Sequence, residues 1–429
     1  MQRSLKFCYQ PFKLLNMKIK TFFAIALIAS SAFILTGCFK DTVVEKYTFY
    51  RPVYKTRAEV RAAIKSGPSQ VIHQPGKIFV RGNYIFLNDV NRGIHIIDYS
   101  SPASPKSIAF INIPGNIDIA VNGNYLYADQ YTDLVTLDIS NPLNITAVNF
   151  EDKVFPQQYF IPDTSLVIAD WKRIDTTIKH KGDINWDQSI IRFSPFANAQ
   201  SGGVAGSSGS AGQAGSMARF GLMNSRLYTV STWELKVFNV TNAADPVFVR
   251  SLSAGAGNIE TIYPFKNNLF VGSMNGMHIF SVTNPDFPVK TGMFTHATAC
   301  DPVIVDDTYA YVTLRTGTFC AGPNNQMDVV NITNLSSPSL VKTYPFTNPF
   351  GLSKDADHIF LCDGVAGLRV LNTQNVNNIT TVKTLGGMET YDVIAVNNIA
   401  ITVAKDGLYF VDYSNINDIK IISKISTRN

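Results

Sequence analysis

One short pattern recurs along this chain and decides what it can fold into. A strand rich in apolar residues ends in Asp or Asn, and a polar turn follows, often closed by Pro. The first copy is Gly93-Ile94-His95-Ile96-Ile97-Asp98-Tyr99-Ser100-Ser101-Pro102, and the last is Leu408-Tyr409-Phe410-Val411-Asp412-Tyr413-Ser414-Asn415. Copies between them end on Asp138, Asn239, Ser281, Asn331 and Asn372. Alternation with period two predicts a strand half-buried in a sheet, and the Asx residue followed by Ser/Thr, Asn and Pro predicts the turn that ends it. A chain of such repeats is excluded from most enzyme folds.

Spacing turns the pattern into an architecture. The anchors Asp98, Asp138, Asn239, Ser281, Asn331, Asn372 and Asp412 follow one another at intervals of 40, 101, 42, 50, 41 and 40 residues. A step of about 40 residues is one four-stranded propeller blade. Upstream of each anchor lies a strand, a tight Asn/Gly turn and a second strand, as in residues 117–127 and 391–401, and a shorter strand follows it. The expected fold is therefore all-β, a β-propeller of four-stranded blades. The interval of 101 equals two steps plus an insertion of about 20 residues, so eight blades are expected, with a degenerate third in residues 151–216. Seven is the alternative if all of that stretch is decoration. Within it, residues 200–216 are almost wholly Gly, Ser and Ala, read as a flexible surface loop closing an insertion at 182–216. Ring closure is expected from packing of the first blade on the last, helped by residues 47–54.

On Leu408-Tyr409-Phe410-Val411-Asp412 and Gly93-Ile94-His95-Ile96-Ile97-Asp98, the chain resembles the bacterial LVIVD-repeat family, over nearly everything after residue 75. The resemblance implies a propeller carried by a Bacteroidetes-type lipoprotein and leaves its function open. Ser281, which replaces the Asx anchor, and the interval of 101 depart from the pattern.

Near the start, Met17-Lys18-Ile19-Lys20 opens a basic region, an apolar run follows at 22–35, and Leu35-Thr36-Gly37-Cys38 has lipobox spacing. Translation is expected to start at Met17, residues 1–37 to be removed, and the Cys38 thiol to be lipidated and to hold the chain to a membrane. Removal takes five basic residues and no acids, so the net charge falls from +5 to zero. No basic face remains for nucleic acid. Residues 38–75 read as a tether with a short helix at 56–65, and 76–429 as the propeller. Lys40-Asp41, just past the anchor, resembles the charged signals that send some lipoproteins to the cell surface, so the expected place is the outer membrane, surface before periplasmic face.

Three constellations could carry chemistry. Asp118, Glu260, Asp301 and Asp392 stand at the start of innermost strands, with Lys77 and Arg219 near the same place in other repeats. At the mouth of a channel they would form a partial ring of carboxylates for a cation or basic ligand; the favoured reading is that they accept hydrogen bonds from neighbouring blades. Cys300 and Cys320 flank one hairpin at the same end, which in an oxidising compartment predicts a disulfide, with Cys320–Cys362 as the alternative and Cys362 otherwise a small buried residue. A metal site from His296 and these thiols lacks zinc spacing. Loop residues Trp171, Trp186, Trp233, Arg315 and Phe319 could stack on sugars or anchor a protein. His95 and His278 share a strand position, which makes them structural. No nucleophile elbow, phosphate-cradling loop or catalytic carboxylate pair is present, and no cofactor is expected. The sequence favours a lipid-anchored binding or scaffolding module for a protein or glycan. An extracellular hydrolase or lyase acting on polysaccharide is the alternative.

Overall fold

The structure is a computed structural model that describes residues 42–156, 163, 165–181, 213–255, 259–296, 302–316 and 324–427. Seven antiparallel sheets, each with four strands in chain order, occupy residues 75–112, 119–151, 220–253, 259–295, 303–345, 352–385 and 390–426. Their innermost strands touch one another in sequence, and the last touches the first. The molecule is a closed seven-bladed propeller, which corrects the expected eight. The missing blade has a physical reason. Leu166–Lys181 pairs with Thr42–Thr56 in a separate two-stranded sheet, and the side chains of Lys172 to Thr177 are exposed or half-buried. A strand engaged in that pairing does not start a further blade.

By compactness the chain divides into residues 1–51 with 172–195, and 52–171 with 196–429. In the smaller unit the Thr48 hydroxyl donates to Asp175 at 2.6 Å. The larger unit contains the propeller. The helix read at 56–65 is Arg57–Ala62, capped by Thr56 and Glu59 in a reciprocal capping box. Among the described residues no helix is long and apolar enough to cross a membrane.

The recurring Asx residue makes a turn. Asp98 accepts from Ser100 N at 2.9 Å, Asp138 from Ser140 N at 2.8 Å, Asn331 from Thr333 N at 2.9 Å and Asp412 from Ser414 N at 2.9 Å. Three residues on, Asn141, Asn334 and Asn415 repeat the bond to their own i+2 amides. Ser281 does the same work less well, its hydroxyl lying 3.4 Å from Thr283 N. These turns satisfy amides within the third-to-fourth strand connections, while carbonyls there accept from the neighbouring blade, as Ala243 O does from Tyr127 and Pro285 O from Tyr228, both at 2.9 Å.

The anchor strands are buried on both faces, not half-buried. Gly93–Asp98 and Gly407–Asp412 are buried at every position but the last. Each blade is pressed between two others, so alternation selects which neighbour a side chain meets. Ile94 and Ile96 join the core shared with the second blade, whereas Ile97 packs with Ile401 and Phe410 of the seventh. Within the blades, outermost strands such as Val289–Thr295 are the more exposed. At the start of the third strand Gly407 has φ 148°, and an added Cβ would collide with the Ile425 carbonyl.

Closure comes from this first-on-last packing, as expected. It is reinforced by a parallel bridge from Ile72 to Thr427 and by Ser423 Oγ donating to Pro102 O at 2.5 Å. Residues 47–54 lie in the two-stranded sheet instead. Lys65–Pro68 adds an outer strand to the first blade. At its inner edge the first blade takes on Gln213–Ala214, paired with Val80 and Phe79. The end of the Gly/Ser-rich stretch is therefore built into the channel.

Candidate functional site at the channel mouth

Strand register decides which charged residues share a position around the channel. Asp392 opposes Val403, the penultimate residue of the next strand. By the same register Lys77, Asp118, Arg219, Thr261, Pro302 and Gly351 hold that place in the first to sixth blades. Glu260 stands one residue earlier, where the strand bulges between Ile259 and Thr261. Asp301 lies outside the described residues. Across blades seven, one, two and three, the shared position reads Asp392, Lys77, Asp118, Arg219. The signs alternate.

The alternation makes buried pairs. Lys77 Nζ donates to Asp118 Oδ2 at 3.2 Å and to Met217 O at 2.8 Å. Asp118 Oδ2 also accepts from Arg219 N at 2.7 Å, and its Oδ1 from Ile119 N at 2.8 Å. Arg219 reaches on to Asp129 Oδ2 at 3.2 Å. Asp129 Oδ1 in turn accepts from Ile117 N at 2.7 Å and Asp118 N at 2.8 Å. Burial lowers the Lys77 ammonium to about 8, against the pull of Asp118, and raises the Asp129 carboxyl, against the pull of Arg219. Charges withdrawn this far from water persist because each has a partner.

Residues 213–219 run through the channel and supply several of those partners. Gly215 N donates to Ile78 O at 3.1 Å, and Leu352 N donates to Ser216 Oγ at 2.6 Å. Gly215 and Gly351 flank the Asp392 carboxyl, and a Cβ at either would strike it. Asp392 Oδ1 accepts from Val393 N at 2.9 Å. Burial pushes this carboxyl up to about 7.

Sequence reasoning missed a second use of acids on this face. Asp89 accepts from His73 N at 3.1 Å and Gln74 N at 2.8 Å, and Asp363 from Thr347 N and Asn348 N at 2.8 Å. Each clamps the link that enters its blade, and each is braced by a side chain of the third strand, His95 at 3.2 Å or Arg369 at 2.6 Å. The signal was an Asp closing the second strand in both repeats. His278, at the position of His95, faces Asn275 at 3.3 Å, and burial drops it to about 4.

The other candidates separate. Arg315 is buried, with its guanidinium 4.3 Å from the Phe350 ring and electrostatically attracted to Glu260. Trp233 is 62% exposed and Val365 70% exposed, both at turns between second and third strands, hence on the channel-mouth face. Trp171 is half-buried. Cys38, Cys300, Cys320, Trp186 and Phe319 lie outside the described residues. Cys362 is buried with a free thiol, pushed up by burial. Among the described residues no group of three or more His, Cys, Asp or Glu is placed to hold a metal ion.

Beside the paired charges lies a cavity of about 240 Å³, walled by Val90, Ile117, Met217 and Phe350 and reached by Asn88 and Asp392. A larger, open hollow of about 670 Å³ lies at the opposite end, among Tyr263, Asp306, Tyr311, Lys354 and Asn377. There Asp306 is held by Lys354 at 3.1 Å and by Thr308 N and Tyr309 N.

Comparison with known proteins agrees with this geometry. Residues 75–110, 116–149 and 298–345 match the LVIVD repeat. The matched segments fall in the first, second and fifth blades, whose third strands close on Asp98, Asp138 and Asn331, Asx-turn acceptors described above. No curated protein matches the sequence. Among solved structures, a candidate 6-phosphogluconolactonase from Bacteroides fragilis is 8% identical with TM-score 0.51, covering 85% of this chain and 96% of that one. A second, from Bacteroides uniformis, is 8% identical with TM-score 0.50, covering 82% and 97%. At such identity the likeness is one of fold alone.

Proposed function

We propose that this LVIVD-repeat propeller is a binding or scaffolding module, held at the outer membrane through lipid on Cys38 and presenting its channel-mouth face to a protein or glycan partner at the cell surface. One observation carries the reading. Trp233 and Val365 stand exposed on that face, while the carboxylates Asp118 and Asp129 at the channel are taken up by Lys77, Arg219 and backbone amides. A face with large apolar side chains outside and paired charges inside is suited to docking. Acids so engaged hold the fold.

The test is capture from outer membranes and a glycan array, with the chain from Thr42 onward as bait. A defined partner or glycan should be retained by the wild type and lost on Trp233→Ala with Val365→Ser. Equal capture by both baits contradicts the proposal. Mass spectrometry of the exported protein should find acyl chains on Cys38, absent in Cys38→Ala.

A further inference from the structure

The open hollow of about 670 Å³ at the end away from the channel mouth lies where one contact between blades departs from the repeat. The third residue of the second strand is Tyr127 in the second blade, Tyr228 in the third and Tyr311 in the fifth. Tyr127 and Tyr228 each donate to a carbonyl of the next blade, Ala243 O and Pro285 O, one residue past the Asn of an Asx turn. The matching carbonyl of the sixth blade is Val376 O, one past Asn375. Tyr311 does not take it. Its hydroxyl turns to Asp306 Oδ2 of its own blade at 3.2 Å, and Val376 O accepts instead from Tyr344, on the outermost strand, at 2.7 Å. The fifth and sixth blades are therefore stitched near the rim and parted nearer the axis, where the hollow opens.

Two of its three carboxylates are answered inside the protein. Asp306 is held by Lys354 at 3.1 Å and by the amides of Thr308 and Tyr309, and Asp307 pairs with Lys266. Lys354 spends a further N–H on Ala356 O at 2.8 Å. The groups left to meet a ligand are neutral amides held in place by turn bonds. Gln374 gives its Nε2 to Asp357 at 3.2 Å, which leaves Oε1 to accept. Asn375 uses Oδ1 on Asn377 N at 3.0 Å, which leaves Nδ2 to donate, and Asn377 is exposed beside it. The half-buried rings of Phe265 and Tyr309 complete the lining. Asp357, exposed and bonded to an amide rather than a cation, leaves the rim weakly negative.

We infer that this hollow binds a neutral oligosaccharide, with sugar hydroxyls bonded by Gln374, Asn375 and Asn377 and the C–H face of a sugar ring laid against Tyr309 and Phe265. Aromatic walls with a few convergent polar groups suit a ligand that is apolar on one face and hydroxylated at its edge. Amides fixed before the ligand arrives lose little freedom on binding. An apolar ligand would leave them unpaired, and an acidic one would meet Asp357 with like charge. This site lies at the opposite end from Trp233 and Val365 and uses neither, so sugar binding here and capture by the channel-mouth face can fail separately.

Isothermal titration of the purified protein with cellotriose, maltotriose, mannotriose and chitotriose, beside trigalacturonate and triglycine, tests it. At least one neutral trisaccharide should saturate the protein with Kd below about 1 mM, and about tenfold or more tighter than trigalacturonate or triglycine. Tyr309→Ala and Asn377→Ala should each weaken that sugar about fivefold or more, whereas Trp233→Ala with Val365→Ser should leave it unchanged. The inference is overturned if none of the four sugars saturates, if trigalacturonate or triglycine binds as tightly, if both hollow variants bind undiminished, or if the Trp233 and Val365 variant loses the sugar. Asn377 is exposed, so its variant remains readable even if Tyr309→Ala misfolds.

Discussion

Lys77 Nζ lies 3.2 Å from Asp118 Oδ2, both side chains almost wholly out of water, and this bond ties the innermost strand of the first blade to the segment entering the second. It also fixes Met217 O, so one ammonium organises two blades and the chain that threads the channel. Lys77→Met should cost about 3–5 kcal/mol of unfolding free energy, because a buried carboxylate then loses a partner. Pairing it with Asp118→Asn, which removes the charge and keeps an oxygen for a backbone amide, should recover part of the loss. Urea denaturation of the single and double variants measures both.

Asp392 makes stability depend on pH with a particular sign. Its carboxyl keeps a proton to about pH 7 in the folded protein, against about 4 in an unfolded chain. The folded state therefore binds more protons between those limits, and stability falls as pH rises through them. In Asp392→Asn that fall should vanish, leaving the variant more stable than wild type at pH 8 by on the order of 1–3 kcal/mol. Melting both proteins across pH 4.5–8 checks it.

Third-strand glycines mark where the outermost strand passes too close for a side chain. Gly407→Ala, at φ 148° and against the Ile425 carbonyl, should cost about 2 kcal/mol or more. Gly386→Ala meets nothing within 4 Å and should change stability by less than about 1 kcal/mol.

Ser281 is the weakest of the repeated turns, its oxygen 3.4 Å from the Thr283 amide. Ser281→Asp restores the carboxylate that Asp98 and Asp412 use at 2.9 Å, and should stabilise by about 0.5–1 kcal/mol. Thermal unfolding above pH 5 reads the gain, which should disappear once the carboxylate is protonated.

Much of this was legible because local chemistry repeats. The Asx turns satisfy themselves within four residues, so the sequence carried strand, turn and blade length at once. The blade count was less legible. Leu166–Lys181 begins like an inner strand, and only its pairing with Thr42–Thr56, from a distant part of the chain, removes it from the ring. The charged ring was half legible: spacing sets Lys77 and Arg219 beside Asp118 and Asp392, but a one-residue bulge displaces Glu260, and bulges leave no mark in composition. Least legible was the channel segment. Gly215 is required by the carboxyl it must pass, and in sequence it looks like any glycine of a flexible stretch.

The most direct measurement is hydrogen–deuterium exchange of residues 213–219 in the native protein. If they pair with the first blade and fill the channel, the amide of Gly215, bound to Ile78 O, should be protected as strongly as the innermost strand Pro75–Arg81 beside it. Exchange there within seconds, with the blades still protected, would contradict a channel closed by its own chain and the paired charges built around it.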